Sequence, residues 1–280
     1  MINVNGIIVS NTNIDIEKNR GFLYGDALFE TIKVLDGKVL FLEDHYFRLM
    51  SSMRILRMEI PIDFTMEFFQ DEILKTVDSV EEKGNAIRVR FTVYRQGQGK
   101  YLPNDRNIAY IVTCEPLQDE VYQISNKDYE IELYKDFYVT AHLLSTLKTT
   151  NRLVNITGSI FAEENSYQNC LLLNDAKNVV EALNGNLFVV KDKVVKTPSL
   201  ADGCMKGIMR KQIIELLQKH PEYSFEEGVV SPFELQKADE MFITNVIVGI
   251  QPITKYRKKT YVNNLATDLV AKLNAKIRLS

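Results

Sequence analysis

Cysteine is scarce. Cys114, Cys170 and Cys204 lie far apart in 280 residues, form no C-x-x-C pair and are odd in number. That pattern argues against a disulfide framework or a thiolate zinc cluster and fits a reducing cytoplasm. Histidine is equally sparse, with only His45, His142 and His220, so no metal centre is expected. No apolar run approaches the roughly 20 residues that span a bilayer. The opening Met-Ile-Asn-Val-Asn-Gly-Ile-Ile-Val-Ser lacks the charged segment and apolar core of a signal peptide. A formal net charge of -3 gives no global field to attract nucleic acid or anionic lipid, so neither nucleic acid nor membrane is an expected partner. G-x-x-x-x-G-K-[ST], H-E-x-x-H and G-x-S-x-G are all missing. Gly97-Gln98-Gly99 lacks the third glycine and the following helix of a dinucleotide fingerprint. There is no internal repeat, low-complexity segment or long linker.

What is present is an ordinary globular composition, 45% apolar and 25% charged, long enough for one large or two ordinary domains. Leu28–Leu35 and Lys38–Phe41 flank Asp36-Gly37 and predict a hairpin. A helix follows from about Glu43 with Leu42, Leu49, Met53 and Leu56 on one face, ending before Pro61. A second spans about 66–82 with Phe69, Ile73, Val77 and Val80 together, stopped at Gly84. Ala86–Tyr94 alternates like a strand, and Asn107–Cys114 is another. Polar residues 115–128 mark a boundary between a small N-terminal α/β domain (1–118) and a larger one (119–280). There, strands are expected at 129–141, 170–174, 186–196 and 241–247. Helices are expected after Lys148 (Leu153, Ile156, Ile160 and Phe161 inward), from Gly207 to Leu217, and over 264–278. The class is α+β, mixed strand and helix layers in two domains.

Two residues carry chemistry. Lys148 follows the strand-like Ala141–Leu147 and precedes an amphipathic helix, a junction where clefts form and an amine can serve as nucleophile. Glu181 sits between Val179-Val180 and Ala182-Leu183, where a carboxylate is costly without a partner. A lysine able to form a Schiff base and a carboxylate able to hold a pyridine nitrogen protonated are the two groups that pyridoxal phosphate chemistry needs most. Asn184-Gly185-Asn186 supplies a tight turn into the next strand. Phosphate donors are offered by the helix start Gly207-Ile208-Met209, by Thr244-Asn245 at a strand end, and by Arg48 near the apolar face of its helix. A lysine or arginine in such a position can equally be a solvated or snorkelling side chain. His45 and His220 fall in helical segments as structural or exposed residues.

Several ordered blocks resemble the class IV aminotransferase family, the fold-type-IV pyridoxal phosphate enzymes. They are Arg20–Thr31, His45–Leu49, Lys148–Asn151, Glu181–Phe188, Thr197–Arg210 and Ala238–Pro252. That family includes branched-chain and D-amino acid aminotransferases and aminodeoxychorismate lyases. The resemblance implies a small N-terminal α/β sandwich domain, a larger barrel-like C-terminal domain carrying the Schiff-base lysine, and a homodimer. It implies Lys148 as Schiff-base residue and proton shuttle and Glu181 at the pyridine nitrogen. Arg48, Ile208, Met209, Asn245 and Val246 would hold the phosphate. Glu30, Arg95, Lys100 and Arg152 are the implied substrate contacts, whereas Arg88 and Arg90 share one strand face and can be structural. The implied activity is amino transfer between a small or branched aliphatic amino acid and a 2-oxo acid. Arg152, where many members have tyrosine, together with Gly207-Ile208-Met209-Arg210, resembles instead the lyase branch that makes 4-aminobenzoate and pyruvate.

Overall fold

The computed structural model describes residues 1–11, 14–80, 84–125 and 127–279. They group into two compact units, Met1–Glu120 with Lys148–Asn151, and Val121–Leu147 with Arg152–Ser280. The sequence reading puts Lys148 in the second domain. In the structure its segment joins the first, because Phe29 N–H donates to the Lys148 carbonyl (2.9 Å) and Thr150 N–H to Ala27 (3.1 Å).

In the first unit, β1 (Ile2–Val4) and β2 (Ile7–Val9) form a short hairpin absent from the sequence reading. α1 (Arg20–Tyr24) is capped by the Asn19 side chain, which accepts from Phe22 N–H (2.9 Å). Gly25 ends it in the left-handed region at φ 62°. β3 (Ala27–Leu35) turns at Asp36-Gly37 into β4 (Lys38–Val39), much shorter than the run to Phe41 suggested. α2 (Leu42–Ile55) and α3 (Met66–Asp78) follow, the latter capped by Thr65. Ser79 closes α3; Glu81 and Glu82 of the expected 66–82 helix lie outside the described residues. β5 (Ala86–Arg95) and β6 (Ile108–Pro116) complete an antiparallel sheet ordered β2-β1-β6-β5-β3-β4 among the described residues. β5 alternates as expected. Val89, Phe91 and Val93 are buried, and Phe91 meets Phe69 of α3 at 4.8 Å between ring centroids.

In the second unit, β7 (Glu130–Val139) and β8 (Asn169–Asn174) run parallel, joined through α4 (Leu153–Glu164). Where the sequence suggests extended chain over 141–147, Leu143–Thr146 is a 3-10 turn. The hydroxyls of Ser145 and Thr146 bond the His142 and Leu143 carbonyls at 2.7 Å each, a local alternative to a strand ladder. Three of the four residues that α4 was expected to turn inward are a second correction. Leu153, Ile156 and Ile160 are 76%, 53% and 49% exposed. The helix buries Gly158 and Ala162 instead. A Cβ on Gly158 would lie 3.3 Å from the Tyr134 ring, so the helix comes close to β7 there, and Phe161, expected inward, is partly buried against the same ring at 5.6 Å between centroids.

β9 (Val179–Ala182) pairs antiparallel with β8. The run 186–196 proves to be a hairpin of β10 (Asn186–Lys191) and β11 (Val194–Thr197). α5 (Ile208–Leu217) carries the chain to β12 (Ser224–Glu227), parallel to β11. Then come α6 (Pro232–Lys237), β13 (Glu240–Asn245), β14 (Gly249–Pro252), β15 (Lys255–Tyr256), β16 (Lys259–Thr260) and α7 (Asn264–Leu279). Buried Glu240 caps α7 from afar, accepting from Leu265 and Ala266 N–H at 2.9 and 2.7 Å. Two five-stranded sheets, β12-β11-β10-β13-β14 and β16-β15-β7-β8-β9, share one core. Leu133, Leu171, Leu187, Val189, Met241 and Ile243 fill it from both sides, as in a barrel. No helix among the described residues is long and apolar enough to cross a membrane.

Candidate active site

The first unit gathers its charged residues on β3 and α2. His45 and Arg48, one helical turn apart, both reach Glu30. His45 Nδ1 lies 2.7 Å from Glu30 Oε2; Arg48 Nε donates to Oε1 at 2.8 Å and a second Arg48 nitrogen to Oε2. Burial alone would raise the Glu30 carboxyl. The Arg48 charge and the hydrogen bonds from His45 and Arg48 outweigh it and hold the carboxyl down at about 2. Burial also lowers His45, against the pull of Glu30. A neutral ring with its proton on Nδ1 satisfies Glu30 and leaves Nε2, which is buried without a hydrogen-bond partner, free of a proton. Glu30, expected to meet substrate, is thus 1% exposed and engaged by its own fold.

Arg95, the second expected substrate contact, is similarly committed. Its guanidinium donates to Asp26 (2.9 Å) and to the carbonyls of Arg57 (3.0 Å) and Leu56 (2.6 Å). Arg20 shares Asp26 at 3.0 Å and holds the loop carbonyls of Gly99 (3.1 Å) and Lys100 (2.8 Å), while the Lys100 side chain is exposed. Arg88 pairs with Glu115, and Arg90 lies 3.8 Å over the Phe29 ring. The Lys148 amine is 4.3 Å from the same ring centroid, and its segment is half-buried. Asn151 and Thr150 both bond the Gly25 carbonyl at 3.2 Å. A side chain on Gly25 would collide with Asn151, so glycine is required there by space as well as by φ.

The second unit centres on residues 205–207. Glu181, 6% exposed on β9, accepts Met205 N–H at 2.9 Å. Asn186 at the start of β10 donates to the Met205 carbonyl (2.9 Å), and Lys206 N–H reaches Thr146 (3.3 Å) in the turn that leads toward Lys148. Gly207 then caps α5, as expected. A Cβ there would strike Asn186, and Ile208 and Met209 open the helix, buried. Their N–H groups precede the first intrahelical bond, Lys211 to Gly207, so they belong to the donor end of the helix dipole. Asn186 pairs across the sheet with Thr244, whose hydroxyl is buried without a hydrogen-bond partner. The expected turn at Asn184-Gly185 forms, and a Cβ on Gly185 would lie 2.6 Å from the Thr244 carbonyl. Asn245 Nδ2 donates to the Asn184 carbonyl (3.2 Å) while its Oδ1 accepts Ile247 and Val248 N–H (3.0 and 2.9 Å). Its side chain therefore builds the turn. Arg152, at the N-cap of α4, donates to the Leu147 carbonyl at 2.9 Å.

Sequence reasoning took His45 for a structural or exposed helical residue, Asn186 for part of a turn and Thr244 for a phosphate donor; the bracing contacts that the three make were not foreseen, although His45 stands at i,i+3 spacing to Arg48.

The first unit carries Lys148, and the second carries the buried Glu181 carboxylate beside the start of α5. Residues 27–256 match the family model described as amino-transferase class IV, and the chain belongs to that family. Its members are pyridoxal phosphate enzymes. A Methanocaldococcus jannaschii protein provisionally named as a branched-chain-amino-acid aminotransferase is 28% identical over 93% of this chain and 88% of its own length. The aminodeoxychorismate lyase of Vibrio harveyi is 24% identical over 84% of this chain and 85% of its own. Among solved structures, the branched-chain aminotransferase of Thermoproteus uzoniensis superposes with a TM-score of 0.85 at 22% identity, covering 98% of this chain and 93% of that one.

Proposed function

We propose that the protein is a pyridoxal phosphate-dependent aminotransferase moving an amino group between a small or branched aliphatic amino acid and a 2-oxo acid. The carrying observation is the 205–207 segment. One stretch of main chain fixes the Glu181 carboxylate, continues into the open end of a ten-residue helix and lies beside Asn186, the cross-strand partner of Thr244. The donor set fits the cofactor, since an anion suits the N–H groups of Ile208 and Met209 and the unpartnered Thr244 hydroxyl can donate.

Glu181 would pair with the pyridine nitrogen; Ile208, Met209, Asn245, Val246 and Arg48 would hold the phosphate. Arg48 reaches that role from a guanidinium already braced by Glu30. When bound, pyridoxal phosphate supplies an electron sink for the pair left at the substrate α-carbon. The Lys148 amine would take the substrate α-proton and hand it back as acid and base in turn, and water would supply the carbonyl oxygen of the 2-oxo acid released. Exposed Lys100 on its loop would read a substrate carboxylate.

Two copies form the working unit, in the cytoplasm. Leu153, Ile156 and Ile160 on α4, with Leu143 and Leu144 of the preceding turn, are all exposed and apolar, a surface suited to a second copy. The three cysteines are all free thiols, in keeping with a reducing compartment.

The test is optical. The purified protein should absorb as a pyridoxal phosphate adduct and shift to the pyridoxamine form with branched or small aliphatic amino acids. No shift with any common L- or D-amino acid removes the reading. One observation favours a second reading. Arg152 turns its guanidinium to the Leu147 carbonyl, placing a cation where many members carry tyrosine. That suits an aminodeoxychorismate lyase, and formation of 4-aminobenzoate from aminodeoxychorismate decides for it.

A further inference from the structure

We infer that Tyr122 is a positioning residue for the phosphate side of the site, acting through the turn at Asn245–Val248. The inference rests on the cofactor reading above and adds a residue that the sequence motifs do not include.

Tyr122 lies 124 positions before Val246, in the polar stretch that reads as a connector, yet it is 3% exposed. Three contacts from three elements fix it. Asn274 of α7 accepts Tyr122 N–H (3.2 Å) and donates to its carbonyl (2.8 Å), imitating a strand partner. The ring packs on Gly249, where a Cβ would lie 2.7 Å from Cγ and Cδ1 and φ is +79°. The phenol donates to the Val246 carbonyl at 2.7 Å. Burial raises the phenol's pKa, so the hydroxyl stays protonated and keeps its donor role across ordinary pH.

The consequence follows from peptide geometry. The Val246–Ile247 peptide is held at both ends, its carbonyl by Tyr122 and its N–H by Asn245 Oδ1 (3.0 Å). A planar peptide gripped at both ends cannot rotate. The orientation of the adjoining Asn245–Val246 peptide, whose N–H belongs to Val246, is therefore constrained. Because the Asn245 side chain is spent inside the turn, this main-chain orientation decides what the turn offers an anion. Donors fixed in advance bind more tightly than donors that must be ordered by the ligand. Tyr122 touches no ligand in this scheme; it sets the group that does.

The experiment compares two probes on apo-protein, pyridoxal phosphate and pyridoxal, which shares ring and aldehyde but lacks the phosphate. Tyr122→Phe removes only the hydroxyl. It should weaken pyridoxal phosphate about 5-fold, the scale of one hydrogen bond. Pyridoxal affinity should stay within about 2-fold, because the effect is confined to the phosphate. Asn274→Ala, which loosens the clamp but keeps the phenol, should lower the same affinity ratio by a smaller factor, and it carries the test should Tyr122→Phe fail to fold by circular dichroism. An unchanged ratio, or an equal fall for both probes, overturns the inference while leaving the cofactor reading intact. A wild-type protein with no preference for the phosphorylated probe overturns the cofactor reading itself.

Discussion

Glu30 and Glu181 are both buried carboxylates on strands, and they are answered differently. Glu30 is bracketed by side-chain bases from one turn of α2, and with Arg48 it forms a neutral pair inside the first unit. Glu181 is oriented by a main-chain N–H at the head of the segment that opens α5. The first arrangement stabilises a fold and braces an arginine. The second aims a charge. The same residue type, buried in both units, meets charged side chains in one and a main-chain N–H in the other, and under the proposed function only the second carboxylate does chemistry.

The largest expected effect comes from the chemical side of that contrast. Lys148→Ala should lower kcat/KM by at least about 10³-fold, the scale of removing a positioned acid–base group. Thermal melting should be nearly unchanged. Glu181→Gln should follow, cutting kcat by on the order of 10²-fold with stability retained, since the neutral amide no longer favours a charged ring nitrogen. Should Glu181→Gln lose stability rather than rate, the contrast collapses.

Glu30→Gln should behave in the opposite way. It leaves the Arg48 charge, 10% exposed, without its carboxylate, and urea unfolding should show a loss of about 3 kcal/mol. The pH dependence carries the same sign. Glu30 is depressed to about 2 in the fold, so its contribution is complete above about 4.5 and is lost as pH falls toward 2. His45, also depressed, adds to acid destabilisation because it must charge to unfold the pair. An acid titration of the melting temperature should therefore fall in wild type and be flatter in Glu30→Gln. Smaller still, Gly25→Ala should cost about 1–2 kcal/mol through its left-handed backbone, with added crowding against Asn151. Leu153→Asp tests the exposed face of α4: sedimentation should show monomers while the melting curve of the separate chain barely moves.

α3 and α4 show how far the sequence could be read. Both present apolar residues at helical spacing. On α3, Phe69, Ile73 and Val77 are buried as the period requires. On α4, Leu153, Ile156 and Ile160 of the same pattern face outward, and Gly158, Ala162 and the partly buried Phe161 make the contact. Periodicity identifies a helix and its stripe; it does not say which neighbour covers the stripe. The site divides in the same way. Gly207 before an apolar helix and Asn184-Gly185 before a strand are local signals, and both held. Arg95 and Glu30 read as ligand contacts from the family resemblance alone, whereas in the fold Asp26 engages Arg95, and His45 and Arg48 engage Glu30.

The order of motifs, the helix starts and the tight turns were written in the chain, because caps, glycine φ values and side-chain spacing act over a few residues. The grouping of Lys148 with β3, the closure of Arg95 on Asp26 and the grip of Tyr122 on Val246 were decided only in three dimensions. Each depends on a hydrogen bond between residues 69 to 124 positions apart or on strand pairing at similar range, and no local pattern encodes such a partner.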